Sequence, residues 1–248
     1  MNLLSSTSIF SFYTLLSRIL GYLRDILIAI FLGTSIYADA FFVAFRLPNT
    51  FRRLFAEGTF NAAFIPSYTK EKFRSKKEGK KFANEVFNLL LFFLIIIVLI
   101  FEIFAPYLVY LIAPGFYNDP NKFTIATEFT RITFPFLLFV SLSSLLSGIL
   151  NSNNKFAAAA AAPIVLNLIL IFSLILSFFL NLDFARNLSI GVTLAGLIQL
   201  IILILFTKKY YFPSLIFSFK IKRRIKNFLE KLLPSVFSSG ITQINILI

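Results

Sequence analysis

The chain has 248 residues, 58% of them hydrophobic, 34 of them Phe, and carries a formal net charge of +13. Its mean hydropathy of +0.85 lies far above that of a soluble domain. With no Cys and no His, disulfides, thiol nucleophiles, Cys/His zinc sites and histidine general bases are excluded.

Several apolar runs reach the roughly 20 residues that a membrane-crossing helix needs. Val86–Phe101, Ile132–Leu150, Phe156–Leu182 and Asn187–Thr207 hold no Asp, Glu, Lys or Arg. The runs do not alternate, which argues against a β-barrel. Helices satisfy their own backbone hydrogen bonds in lipid, so the fold class is all-α, a polytopic membrane helical bundle. Arg18 interrupts the first apolar run and no basic segment precedes it, which argues against a cleaved signal peptide.

In chain order, six complete spans and the start of a seventh are expected. The first covers Ile9–Leu32, and Gly33–Tyr37 turns outside. The second covers Ala38–Ser67 with a bend at Pro48, whose ring removes a helix hydrogen bond. Lys70–Lys81 reads as the first cytoplasmic loop. The third span covers Phe82–Ile112, and Pro114–Lys122 is an external turn-rich segment. The fourth covers Ile125–Leu150 with a kink at Pro135, and Asn151–Lys155 turns back in the cytoplasm. The fifth opens on the run Ala157–Ala162 and continues to Leu182. Small residues allow close helix approach, while low-complexity drift explains the same alanines; both readings stand. After a turn at Asp183–Asn187, the sixth span covers Leu188–Thr207.

The basic residues are placed asymmetrically. Seven fall in Lys70–Lys81 and eight in Lys208–Lys231, together 15 of 24. An even number of spans separates the two segments, and the positive-inside rule makes their shared side the cytoplasm. That placement also argues against nucleic acid as the partner. The mixture of Phe217, Phe219, Ile221, Ile225 and Phe228 with basic residues fits an amphipathic helix lying on the cytoplasmic surface. The chain thus divides into a six-helix lobe at 1–207, a basic amphipathic segment at 208–232 and the start of a seventh helix at 233–248. That last stretch halts within an apolar run, so the expectation is the N-terminal part of a longer transporter.

Between Ser17 and Asn61 the first two spans carry eight charges: Arg18, Arg24, Asp25, Asp39, Arg46, Arg52, Arg53 and Glu57. Each ionisable group at bilayer depth costs about 2.5–3.5 kcal/mol on insertion scales, so such groups face a wet cavity or a partner. Asp39, Arg46 and Arg53 are seven apart and drift only about 20° per step on one face. Asn49 and Glu57 lie beside that stripe, and Arg53 and Glu57 are spaced to pair. Arg18 and Asp25 are also seven apart, with Ser17, Gly21 and Arg24 on the adjoining face. Burial of these two polar edges together against a cavity is the expected arrangement. Guanidinium keeps its charge when dehydrated and offers a planar fork to phosphate, so Arg18, Arg24 and Arg52 suit a diphosphate. The alternative is that Arg46, Arg52 and Arg53 snorkel to the headgroups. Asp25, Asp39, Arg53 and Glu57 read either as structural counter-ions or as gating pairs. Glu102 and Arg131 read as interfacial, and Gln199, Gln243 and Asn245 as helix-to-helix hydrogen-bonding groups.

The stretch SRILGYLRDILIAIFLGTSIYADAFFVAFRLPNTFRRLFAEGTFNAAFIPSY (Ser17–Tyr68) closely resembles the opening of the MurJ/MviN lipid II flippases. So do KFAAAAAAPIVLN (Lys155–Asn167) and LPSVFSSGITQINILI (Leu233–Ile248). The resemblance implies the MOP exporter superfamily, with two six-helix lobes around a central cavity and two further helices. It implies a transporter, not an enzyme, that carries undecaprenyl-diphosphate-linked peptidoglycan precursor across the bacterial plasma membrane by alternating access. Arg18, Arg24 and Arg52 then line the cavity toward the diphosphate, with Ser17, Asn49, Asp25, Asp39, Arg53 and Glu57 in the same polar region. No cofactor or metal is implied; the partners are the lipid substrate, membrane lipids and a C-terminal lobe beyond Ile248. The competing readings are a MATE-type drug or cation antiporter, a lipid-modifying membrane enzyme and an inactive fragment of a flippase.

Overall fold

The computed structural model describes residues 3–56, 59–215 and 222–234, with the backbone alone at 3–7, 9–10, 47, 51–56 and 59. Outside the described residues lie the expected seventh helix at 235–248 with Gln243 and Asn245, Glu57, and Phe217, Phe219 and Ile221. The side chains of Arg52 and Arg53 lie outside them too.

Helices joined by short connections make up the described residues, without a strand among them. They are α1 (Leu3–Leu32), α2 (Ile36–Ala56), α3 (Thr59–Arg74), α4 (Lys76–Ile103), α5 (Ala105–Ile112), a 3₁₀ turn (Pro114–Asn118), α6 (Pro120–Thr133), α7 (Phe136–Asn151), α8 (Phe156–Leu180) and α9 (Phe184–Thr207). A tenth helix, α10, covers 223–234.

Local chemistry explains where these bounds depart from expectation. The supposed loop Lys70–Lys81 is nearly all helix, because lysine is a good helix former and Ser75 caps α4. The Ser75 Oγ accepts from the Glu78 N–H at 3.1 Å. Asp119 caps α6 from the N–H groups of Asn121 and Lys122, and Asp183 caps α9 from the Arg186 N–H. Both helices therefore begin several residues before the apolar run does.

Prolines interrupt the backbone ladder, and threonines repair it. Pro48 sits within α2 and leaves the Ala44 carbonyl without its usual N–H donor. The buried Thr133 hydroxyl donates to that carbonyl at 3.1 Å. Pro135 separates α6 from α7, and the Thr193 hydroxyl of α9 donates to the Ile132 carbonyl at the break. Such repair by a neighbouring helix is what lets proline persist where water is excluded.

α7 is the axis of the bundle: twelve of its 16 residues are buried. It packs against α9, α2, α3, α4 and α8. Gly148 permits one of these contacts, since a Cβ there would stand 2.8 Å from the Phe64 ring. Around this axis one apolar cluster gathers Phe60, Phe64, Phe82, Leu145, Leu146 and Phe228. The other gathers Ile28, Phe41, Phe129, Phe136, Leu170 and Leu188.

The outer surfaces of α4, α8 and α9 are apolar, with Phe93, Leu99, Ile103, Phe172, Phe179, Ile201 and Leu205 exposed. Among the described residues, four helical stretches are long and apolar enough to cross a membrane: α4, α6 with α7, α8, and α9. An all-α membrane bundle accounts for that apolar exterior, which water would not support.

The basic segment after α9 departs from the surface-helix expectation. Ile225, Phe228 and Leu232 are buried. Phe228 stands edge-on to Phe60, Phe64 and Phe82, with centroids at 6.0, 6.2 and 5.9 Å. The apolar face of α10 is thus covered by protein rather than by lipid. The helix also continues past 232 to 234, so no break marks the expected domain boundary there.

Candidate functional site

Among the described residues α1 and α2 touch only sparsely. α1 packs along α8, while α2 packs along α6 and α7. Each helix has its own fastening among the described residues.

The fastening of α1 centres on Arg24, whose side chain is 19% exposed. Its Nε and Nη2 donate to the Asp25 Oδ1 at 2.9 and 2.7 Å. Its Nη1 donates to the Asn167 Oδ1 of α8 at 2.9 Å. The buried Asn167 amide in turn donates from Nδ2 to the Ser17 carbonyl at 2.9 Å. Gly21 lies beneath that amide: a Cβ there would meet Nδ2 at 3.5 Å, and any longer side chain would displace it. Ser17, Gly21 and Arg24 fall on one α1 face by helical spacing, and that face is sewn to α8 by a single asparagine.

Guanidinium carries five N–H donors. Three are engaged by Asp25 and Asn167, which fixes the plane of the group and leaves two without an acceptor among the described residues. Asp25 remains 59% exposed beside it, and Arg18 is exposed two turns earlier on the same helix. This arrangement can present a partly desolvated, oriented cation to an anionic oxygen.

Asp39 is fastened elsewhere. In the first turn of α2 it accepts from the Lys122 Nζ of α6 at 2.5 Å, and the same ammonium lies 4.3 Å above the Phe116 ring. Asp39 is thereby separated from the Arg24 group. Arg46 is exposed and Asn49 half-buried on α2. Arg52 and Arg53 belong to α2 by backbone only, and Glu57 lies outside the described residues, so the Arg53–Glu57 pairing does too. Arg131 donates to the Glu102 backbone carbonyl at 3.2 Å, joining the two groups read as interfacial.

Two residues that matter here escaped the sequence reading, Asn167 and Lys122. The signal for Asn167 was a lone amide within an uncharged apolar run, where an unsatisfied side chain is disfavoured. Lys122 was visible only as one more charge in a turn.

The alanine run does not form a tight seam throughout. Ala157, Ala158, Ala161 and Ala162 line a hollow of about 210 Å³ with Tyr13, Val165 and the buried Gln199. This hollow lies between α1, α8 and α9 and does not include Arg24.

Comparison with known proteins places this geometry. The family model described as lipid II flippase MurJ matches residues 28–248. A protein named probable lipid II flippase MurJ from Rickettsia prowazekii (strain Madrid E) is 40% identical over 251 residues, covering 100% of this chain and 49% of that protein. A solved structure titled "Lipid II flippase MurJ, inward closed conformation" has a TM-score of 0.80 at 28% identity. It covers 96% of this chain and 49% of that one. A crystal structure of a MATE protein in complex with MaD3S reaches a TM-score of 0.75 at 16% identity, covering 97% and 55%, a likeness of fold alone. The chain spans about half the length of the curated relatives it matches. On the family match and these identities, the chain belongs to the lipid II flippase MurJ family.

Proposed function

We propose that this chain forms the first lobe of a lipid flippase. With a second lobe it moves undecaprenyl-diphosphate-linked peptidoglycan precursor across the bacterial plasma membrane by alternating access. α1 and the α2–α3 pair cross the bilayer beside the four apolar stretches, which makes six spans. The basic ends of the bundle support one orientation. Lys72 at the end of α3 donates to Asn153 in the α7–α8 turn at 2.6 Å. Arg224 reaches Glu78 at the start of α4 at 2.7 Å. Three basic connections therefore meet at one end, the cytoplasmic one by the positive-inside rule.

The observation that carries the substrate assignment is Arg24, oriented by Asp25 and Asn167 with two donors left over. Arg18 and Arg52 join it as diphosphate ligands, with Ser17 and Asn49 nearby. Asp25, Asp39, Arg53 and Glu57 serve as ion pairs that open and close with the cavity. A pyrophosphate is a delocalised anion that guanidinium forks bind through paired hydrogen bonds. The cation-antiporter reading finds less support, because the α1 carboxylate Asp25 is occupied by an arginine rather than set apart.

The test is complementation in the full-length gene. Arg18→Ala, Arg24→Ala and Arg52→Ala are each expected to abolish rescue of a flippase-depleted bacterium while membrane insertion stays normal. Normal growth of all three variants would overturn the assignment.

A further inference from the structure

The segment that follows α9 is bound to the lobe through many independent contacts. Tyr211 is buried, and its hydroxyl donates to the Asn84 Oδ1 at 3.0 Å. The Ser214 N–H donates to the same oxygen at 2.9 Å, and the Ser214 carbonyl accepts from the Asn88 Nδ2 at 2.9 Å. Lys222 donates to the Glu85 Oε1 at 2.5 Å. Arg224 then meets three carboxylates spaced seven apart along α3 and α4. It makes a two-pronged contact with Glu85 at 2.8 and 2.7 Å and one bond with Glu78 at 2.7 Å. It also lies 3.7 Å from Glu71, whose side chain is 7% exposed. The Phe228 ring closes the set inside the Phe60, Phe64 and Phe82 box.

These contacts differ from those of a surface helix in a specific way. An amphipathic helix resting on lipid spends its apolar face on the bilayer and leaves its charges to the headgroups. Here the apolar face packs on α3 and α4, and the Glu71–Glu78–Glu85 ladder finds a shared cation in Arg224 beside it. Packing and charge act on the same two helices, so separating α10 from them would take Arg224 from all three carboxylates and open the four-ring box at once.

We propose that Tyr211–Ser214 and α10 are permanently docked on α3 and α4, clasped by Arg224 and Phe228. This unit is a rigid coupling arm that moves with the first lobe as one body. A displacement of α3 and α4 is then delivered undamped to the chain that follows residue 234. In the flippase reading on which this rests, the arm transmits lobe motion instead of absorbing it as a slack linker.

The experiment uses the full-length protein in membranes, freed of other cysteines. Ile225→Cys, buried beneath α10, is expected to react with a membrane-impermeant maleimide at least about tenfold more slowly than Lys226→Cys on the exposed face. Adding Arg224→Gln is expected to remove that difference. Equal labelling of the two cysteines with Arg224 intact would overturn the docking. The permanence is tested separately by Glu85→Cys with Lys222→Cys joined by a short thiol crosslinker, which leaves Arg224 with Glu71 and Glu78. The joined form is expected to rescue growth as well as the unjoined one. Rescue by the unjoined form alone would show that the arm must detach, and would overturn the rigid coupling. If the flippase reading itself fails, the labelling contrast still stands or falls on its own.

Discussion

Arg24 and Arg224 are the same side chain at similar exposure, 19% and 15%, in two differently built surroundings. Arg224 meets Glu85, Glu78 and Glu71. Glu85 first, and then Glu78, push its guanidinium above even its ordinary range. Arg24 has one carboxylate, Asp25, and one neutral amide, Asn167. The first cation is outnumbered by carboxylates, three to one. The second is matched by a single carboxylate and oriented by a neutral amide. Difference in partner chemistry, rather than in burial, separates an arginine that holds a fold together from one suited to hold a ligand.

The comparison breaks most readily at Arg224. Arg224→Leu removes the cation that Glu71, Glu78 and Glu85 share, leaving Glu71 to Arg74 and Glu85 to Lys222, and the loss is expected to be about 3 kcal/mol at most, the lower end for breaking a buried ion pair. Thermal unfolding of the purified protein in detergent measures it. A melting temperature unchanged from the parent would mean that the carboxylate ladder is already satisfied by Lys222, Arg74 and Lys81.

Next in size is Gly148→Ala, which probes the axis of the bundle beside the Arg224 cluster. The new methyl would press on the Phe64 ring, and Phe64 also borders the Phe228 box. Overpacking of this kind costs about 1–3 kcal/mol. The expected outcome is a lowered melting temperature together with faster labelling of Ile225→Cys, since strain at Phe64 loosens α10.

At the Arg24 end, Asn167→Leu sharpens the contrast by removing the neutral acceptor while preserving bulk. Interhelical hydrogen bonds in membranes contribute about 1–2 kcal/mol at most, so the fold should survive with a small loss of stability. Rescue of growth, by contrast, should be lost, because Arg24 is no longer held in plane. Asn167→Asp adds a second carboxylate and makes Arg24 resemble Arg224. It also loses the donor to the Ser17 carbonyl, so a small loss of stability is expected together with loss of rescue. Full rescue by Asn167→Asp would show that a second carboxylate beside Arg24 is tolerated.

How much of this could be read from the chain follows the range of each interaction. The four uncharged runs and the interruption at Pro135 are local properties, and they became α4, α6–α7, α8 and α9. Helix starts were misplaced at Lys76, Pro120 and Phe184, because capping by Ser75, Asp119 and Asp183 outweighs the polarity of the first turn. Arg24 stood out as a charge within an apolar run, but its partner on α8 is 143 positions away. Helical spacing shows which residues share a face and not which helix that face meets. For the same reason spacing does not show that α1 packs along α8 and α2 along α6 and α7. Arg224 was one of eight basic residues in its segment, with its carboxylates 139 and 146 positions distant.

The smallest expected effect concerns Asp39 and decides on which side of the comparison it belongs. Its bond to Lys122 joins the first turns of α2 and α6, with the Asp39 side chain 54% exposed. An ion pair so open to solvent contributes about 0.2–1 kcal/mol, less at high salt. Asp39→Asn should therefore barely move the melting temperature, and whatever shift occurs should shrink as salt is raised. Growth rescue separates the two roles that remain. If Asp39 only fastens α2 to α6, then Asp39→Lys combined with Lys122→Asp restores the pair and should restore any growth lost in either single variant. If Asp39 must exchange partners during transport, the reversed pair would hold the first turns of α2 and α6 together and still present the wrong charge to the next partner. Stability would then recover without growth, which would move Asp39 from the fastenings to the gate.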